Sequence, residues 1–215
     1  QILLFDKEGV NQSEVWLYCQ GAPAGHEDVA TVQVAGGVLS ERAWDILREQ
    51  EGLTYGAFAF AGSYPGGASF MATRGLVQSG ATGFAVDAMF KYFEQTAKGE
   101  INPETLASVK WTRARSYVLG HQSGSDLLQT IQGNQAAGRD LSFFDEYPQQ
   151  LGNVEIEDVV AFMEPCVGHE VVTIVGPIET SKSELDKYGY SYEEVDWESM
   201  YEAQLDKKEL KKYLK

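Results

Sequence analysis

The feature that most constrains this chain is its clearest buried strand, residues 170–175 (Glu-Val-Val-Thr-Ile-Val). It is closed by Gly176-Pro177 and stands after about a hundred residues of mostly helical spacing. Other strand signals stand early. Residues 2–5 are a short apolar run, and 14–19 alternate with β-branched and aromatic side chains, with Asp6 and Gly9 in the turn between. Residues 54–61 and 68–73 read as a hairpin joined by Ser63-Tyr64-Pro65-Gly66-Gly67. The order is strands, helices, a hairpin, several helices and a last strand. That order predicts an α+β fold, a largely antiparallel sheet with helices packed on one face.

The helical segments carry start and stop signals. A stretch over 27–35 places Val29 and Val32 on one side and is expected to stop at Gly36-Gly37. Ser40 then reads as an N-cap, with Ala43, Trp44 and Leu47 as an apolar stripe and Gly52 as the C-cap. Further helices are expected over 82–98, from Asn102-Pro103 to about 119, over 125–137 and over 155–162. After Pro177 the composition turns acidic and tyrosine-rich, and 206–215 is a short basic amphipathic end with Leu210 and Leu214. The expected organisation is therefore a domain over 1–180 and an extension or linker over 181–215.

Composition excludes several function classes. Of 215 residues, 17 are basic and 32 acidic, a net charge of −15 that repels phosphate and argues against nucleic acid. Hydrophobic residues make up 43%, enough for a packed core and too many for intrinsic disorder. No apolar run approaches the ~18 residues of a membrane span. The first residue is Gln, which suggests a processed product or a piece of something longer. Cys19 and Cys166 could make one bridge but no disulfide framework, and they select no compartment.

An autonomous catalytic site is not legible. His26, His121 and His169 fall in no HxxEH or HExxH pattern. Cys166-Val-Gly-His169 has metal-like spacing, but two ligands make no tetrahedral site, so it reads as a core thiol and a strand-edge histidine. Gly120-His121-Gln122-Ser123-Gly124 has the wrong order for a nucleophile elbow and lies between helices. The glycines at 36–37 and 66–67 match neither a dinucleotide nor a phosphate loop.

One segment is more specific. Gly36-Gly37-Val38-Leu39-Ser40-Glu41-Arg42, followed by Leu47-Arg48-Glu49-Gln50-Glu51-Gly52-Leu53-Thr54-Tyr55, resembles the second, non-zinc domain of the M16 metallopeptidases. These are the insulinase, pitrilysin and mitochondrial-processing-peptidase relatives. The likeness is collinear over about 1–180, from Asp6 and Gln12 to Ile156-Glu157-Asp158-Val159 and the closing Val-Gly-Pro at 175–177. Val38 stands in place of a third glycine, and Ser40-Glu41 in place of a doubled serine.

The resemblance implies a division of labour. The catalytic zinc would sit on an M16 zinc-binding domain, on the same longer chain or a second subunit, with no metal or other cofactor in this chain. This half would close over a peptide substrate and supply Arg48 and Tyr55 to the active site, with Gly36, Gly37 and Ser40 at the substrate. A phenol can donate to the developing oxyanion and a guanidinium can hold a carbonyl or carboxylate. From the residues alone, Arg48 equally complements a helix C-terminus and Tyr55 equally forms a strand, while Arg42 and Glu49 read as helix stabilisers. Phe58, Phe60, Tyr64 and Phe70 read as core, or in the M16 setting as the wall of a chamber gripping an extended peptide. The expected activity is zinc-dependent endopeptidase cleavage of short or unfolded peptides, in a bacterial periplasm, cell envelope or cytoplasm. The alternatives are a non-catalytic assembly subunit or a peptide-binding module.

Overall fold

The computed structural model describes residues 1–22, 28–54, 56–63 and 69–196. Among them, six strands form one sheet in the order β3-β4-β2-β5-β1-β6. These are β1 (Ile2–Asp6), β2 (Gln12–Cys19), β3 (Ala57–Ser63), β4 (Ser69–Gln78), β5 (Val171–Gly176) and β6 (Glu193–Glu194). The pairs β3/β4, β4/β2 and β2/β5 are antiparallel, whereas β5/β1 and β1/β6 are parallel. The α+β architecture expected from the element order is the one observed.

Period-two alternation decides which face is covered. Val15 and Leu17 of β2, Ala57, Ala59 and Ala61 of β3, Met71 and Val77 of β4 and Val172 and Ile174 of β5 are buried under helices. Two helices supply most of that cover, α1 (Val29–Trp44) and α2 (Thr82–Ala97). Inside, the Tyr92 and Thr73 hydroxyls hydrogen-bond at 2.5 Å, which satisfies a phenol buried completely.

The first helix differs from expectation. The two helices expected on either side of Gly36-Gly37 are one, running from Val29 to Trp44 and continuing as a π-helical turn over Asp45–Gln50. Ser40 lies inside it and caps nothing. Both glycines are buried points of close approach. A Cβ on Gly36 would stand 2.6 Å from the Ala61 backbone nitrogen in β3, and one on Gly37 would stand 2.4 Å from Val109. Each glycine costs the helix about 1 kcal/mol of propensity, and the backbone contacts it permits offset that cost.

The outer helices are α3 (Pro103–Leu119), α4 (Gly124–Ala136), α5 (Phe143–Asn153) and α6 (Ile156–Met163). Asn102 caps α3 by accepting the Glu104 N–H at 2.8 Å. Helix α5 escapes the sequence reading because Pro148 lies inside it, where the ring removes a donor and ordinarily ends a helix. Its Phe143, Tyr147 and Leu151 are buried, and this packing overrides the propensity.

The chain continues as a helix across 180/181. Helix α7 (Ile178–Lys187) crosses it with Ser181 and Leu185 buried. The Thr82 hydroxyl donates to Ser13 Oγ at 2.9 Å, and Ser13 meets Ser181 at 3.4 Å. A Cβ on Gly83 would strike the Glu184 carbonyl oxygen, so α2 and α7 touch there. Residues 178–196 are thus packed on the core, and β6 adds to its sheet. Cys166 is not the free core thiol expected: Cys19, at the end of β2, and Cys166, after α6, form a disulfide.

Candidate functional site

The π-helical turn positions Arg48. Leu47, fully buried, anchors the turn, since its side chain and that of Met89 occupy the space a Cβ on Gly75 would take. Gly52, at φ 63, reverses the chain. Its N–H donates to the Arg48 carbonyl and that of Leu53 to the Leu47 carbonyl, both at 3.0 Å. Arg48 stacks on Trp44, four residues earlier on the same face, with its guanidinium carbon 3.8 Å from the ring centroid. Glu49 Oε1 lies 3.8 Å from Arg48 Nε, and both side chains are exposed enough to be screened by water, 38% and 59%. The guanidinium is therefore aligned by an indole and only loosely paired.

Tyr55 lies outside the described residues. Its two neighbours are held together: the Thr54 hydroxyl donates to the Gly56 carbonyl at 2.9 Å and accepts the Gly56 N–H at 3.0 Å. That small loop joins the end of the π turn to β3.

Gly36 and Gly37 lie in the interior of α1, and Ser40 is half-buried on the same helix. Helix-interior N–H groups are engaged within the helix, so the glycines serve helix–strand and helix–helix contact. Arg42 has a structural role: it donates to Gln95 at 3.1 Å and to the Glu100 carbonyl, tying α1 to the end of α2. Burial lowers its pKa, with Glu100 opposing.

The sheet face opposite the helices carries residues that spacing alone assigned to packing. Phe58, Phe60 and Tyr18 are each more than a third exposed. Trp16 stacks on Tyr18 at 5.3 Å, and meets Phe58 and Phe60 edge-on at 6.3 and 6.1 Å. Phe60 continues to Phe70 at 5.8 Å. In register beside Trp16 and Phe58, Arg74 pairs with Glu14 at 2.6 Å, and Trp16 Nε1 donates to the same carboxylate. The result is an open aromatic ladder spanning β2, β3 and β4. Tyr64 lies outside the described residues. The outward period Glu14-x-Trp16-x-Tyr18 was the signal that would have added β2 to this surface.

None of the isolated chemical signals converges. The Cys166–His169 spacing is broken by the disulfide, and His121 Nε2 is engaged by Thr130 at 3.1 Å. Among the described residues no group of three or more His, Cys, Asp or Glu side chains is placed to hold a metal. The donors among the described residues therefore do not assemble a zinc site.

Residues 1–113 match the family model of the peptidase M16 inactive domain. A peptidase M16 inactive domain from Pseudomonas fluorescens superposes with a TM-score of 0.70 at 20% identity, over 82% of this chain and 43% of that one. A protease from Helicobacter pylori gives 0.68 at 19%, over 82% and 44%. A chain of complex III2 from Candida albicans gives 0.69 at 11%, over 87% and 49%. No curated protein matches the chain. The chain thus spans less than half the length of these structures, and at such identities the likeness is one of fold.

Proposed function

Since the chain belongs to the peptidase M16 inactive-domain family, we propose that it is the completing, non-zinc half of a zinc metalloendopeptidase acting on short or unfolded peptides. The observation that carries this reading is Arg48, fixed over Trp44 on a π turn with, among the described residues, only a solvent-screened carboxylate beside it. That is a guanidinium held in one orientation and left available to a substrate carbonyl or carboxylate.

In this reading the zinc and the water it activates belong to the partner M16 domain, and no step is assigned to metal on this chain. Arg48 orients the peptide. Tyr55, seven residues on, donates its phenolic hydrogen to the oxyanion that forms on the scissile carbonyl. The edge of β3, outermost in the sheet among the described residues, accepts an extended peptide by strand addition, and the aromatic ladder beside it forms the chamber wall. The disulfide fits an oxidising compartment, the periplasm or envelope among those expected.

The test is reconstitution with the cognate zinc half. Peptidase activity that needs both parts and falls roughly 10-fold or more in Tyr55→Phe is expected. Chelator-sensitive activity from this chain alone would overturn the assignment. A second reading, an assembly subunit without proteolysis, draws on the fold likeness to a complex III2 chain. A stable complex with the zinc half that cleaves nothing would favour it.

A further inference from the structure

Cross-strand register lays rows of side chains over the sheet face opposite the helices. One row runs Leu76–Glu14–Val175–Phe5 across β4, β2, β5 and β1. In the row beside it, Arg74 stands in register with Trp16 and Phe58. Among these residues only Arg74 and Glu14 are charged. Where the β1–β2 turn borders this face, a cleft of about 410 Å³ opens, lined by Lys7, Gln12, Glu14, Arg74, Leu76 and Val175 among others. A second cleft of about 390 Å³ shares Lys7 and Val175 with it and adds Phe5 and Asp6.

The charges of the larger cleft do not cancel. Glu14 Oε1 accepts Arg74 Nε at 2.6 Å and Trp16 Nε1 at 2.9 Å, so its charge is already met. That pairing uses one of the five guanidinium N–H donors, and the terminal amino groups of Arg74 make no hydrogen bond among the described residues. Lys7 has no ion pair among the described residues. The cleft therefore holds two cations against one carboxylate, in a chain whose net charge is −15. In the smaller cleft, Asp6 Oδ1 accepts the Ile178 N–H at the start of α7, and that helix N-terminus offsets its charge. Phe5 and Val175 remain as apolar walls.

We propose that the larger cleft takes the side-chain carboxylate of an acidic residue in the peptide, and the smaller one a large apolar side chain next to it. This rests on the reading of the open sheet face as the wall of the peptide chamber. A carboxylate there gains charge-assisted hydrogen bonds from the Arg74 amino groups and the attraction of Lys7. A basic side chain would meet two cations and a carboxylate already engaged. A neutral amide leaves Lys7 uncompensated. Local pairing thus sets a preference opposite to the basic peptides that a net charge of −15 suggests.

The experiment titrates the full 215-residue chain, followed by amide NMR shifts, with N-acetyl-Glu-Phe-amide, its Gln and Lys counterparts, and acetate. Binding of the Glu peptide about 10-fold or more tighter than the Gln peptide is expected, with the Lys peptide weakest. Lys7→Gln, at an exposed position, and Arg74→Lys, which keeps a cation against Glu14, should each cut that preference to about 3-fold or less. Equal affinity for the Glu and Gln peptides, or an unchanged preference in both variants, would overturn the site. Acetate binding as tightly as the Glu peptide would overturn the peptide in favour of a free small carboxylate. Reconstitution with the zinc half separates this inference from the reading beneath it. If the chain prefers the Glu peptide but the reconstituted pair cleaves nothing, the metallopeptidase reading fails and the cleft stands as a peptide-binding site. If the pair cleaves and Tyr55→Phe impairs it, yet the chain binds both peptides equally, the cleft fails and the reading stands.

Discussion

Arg48 lies over the indole of Trp44, four residues earlier on the same helical face, its guanidinium carbon 3.8 Å from the ring centroid. A stack of this kind depends on the planar guanidinium and not on charge alone. In the reconstituted enzyme, Arg48→Lys should therefore lower kcat/KM by roughly 10-fold or more. The melting temperature should stay within a few degrees, since the side chain is 38% exposed. Trp44→Leu should give a smaller loss of the same kind, and activity equal to wild type in both would remove Arg48 from the site.

Two glycine substitutions should move stability in opposite directions. Gly36→Ala places a methyl 2.6 Å from the Ala61 backbone nitrogen, which cannot swing aside. The expected cost is about 1–3 kcal/mol, a melting temperature lower by roughly 2–4 °C per kcal/mol. Gly133→Ala, in helix α4 with nothing within 4 Å of the new atom, should gain about 0.5–1 kcal/mol. Thermal denaturation of the pair checks both. A neutral Gly36→Ala would show that β3 does not press on the helix.

The Cys19–Cys166 bond closes a loop with a sequence separation of 147. On the chain-entropy account a loop of that length contributes about 5 kcal/mol, with enthalpic terms able to reduce it. Reductant, or Cys19→Ser with Cys166→Ser, should lower the denaturation midpoint clearly, and thiol titration of the native protein should find none reactive. An unchanged midpoint in reductant would mean the bond adds nothing to stability.

Alkaline pH should destabilise the fold within a defined window. Burial, opposed by the Arg113 cation, pushes the Tyr147 phenol up to about 12 from its ordinary 10.0. The folded state holds that proton more tightly than the unfolded chain. Its contribution is therefore complete below pH 10 and is lost as pH rises from 10 towards 12. The loss is on the order of 2 kcal/mol, and Tyr92, also raised by burial, adds in the same direction. Urea midpoints at pH 9 and 11 should converge in Tyr147→Phe relative to wild type. An equal pH slope in both would exclude Tyr147 as a source.

The parts of this fold that were legible in sequence are those specified locally. The strand at Val171–Gly176 and the Asn102-Pro103 helix start declare themselves through β-branching and capping, and the structure has both. Gly36-Gly37 and Pro148 mislead for one shared reason. A residue's local preference says helix end, and burial against β3, α3 or the aromatic cluster overrules it. At the candidate site, Arg48 was reached only through family resemblance, because a solvent-exposed arginine has no sequence signature. Its stack on Trp44 uses the i, i+4 spacing found on any helix face, which singles out no site.

The position of β1 carries a consequence for how the chain comes into being. Its two sheet neighbours are β5 and β6, so among the described residues the strand at Ile2–Asp6 pairs only with residues beyond 170. During synthesis at about 5–20 residues per second, Ile2 and Leu4 wait on the order of ten seconds or more for their partners to leave the ribosome. For that interval an apolar strand is a free edge, open to any other unpaired strand nearby. The contacts that close the sheet on this side then form late, around residues made some 170 positions earlier.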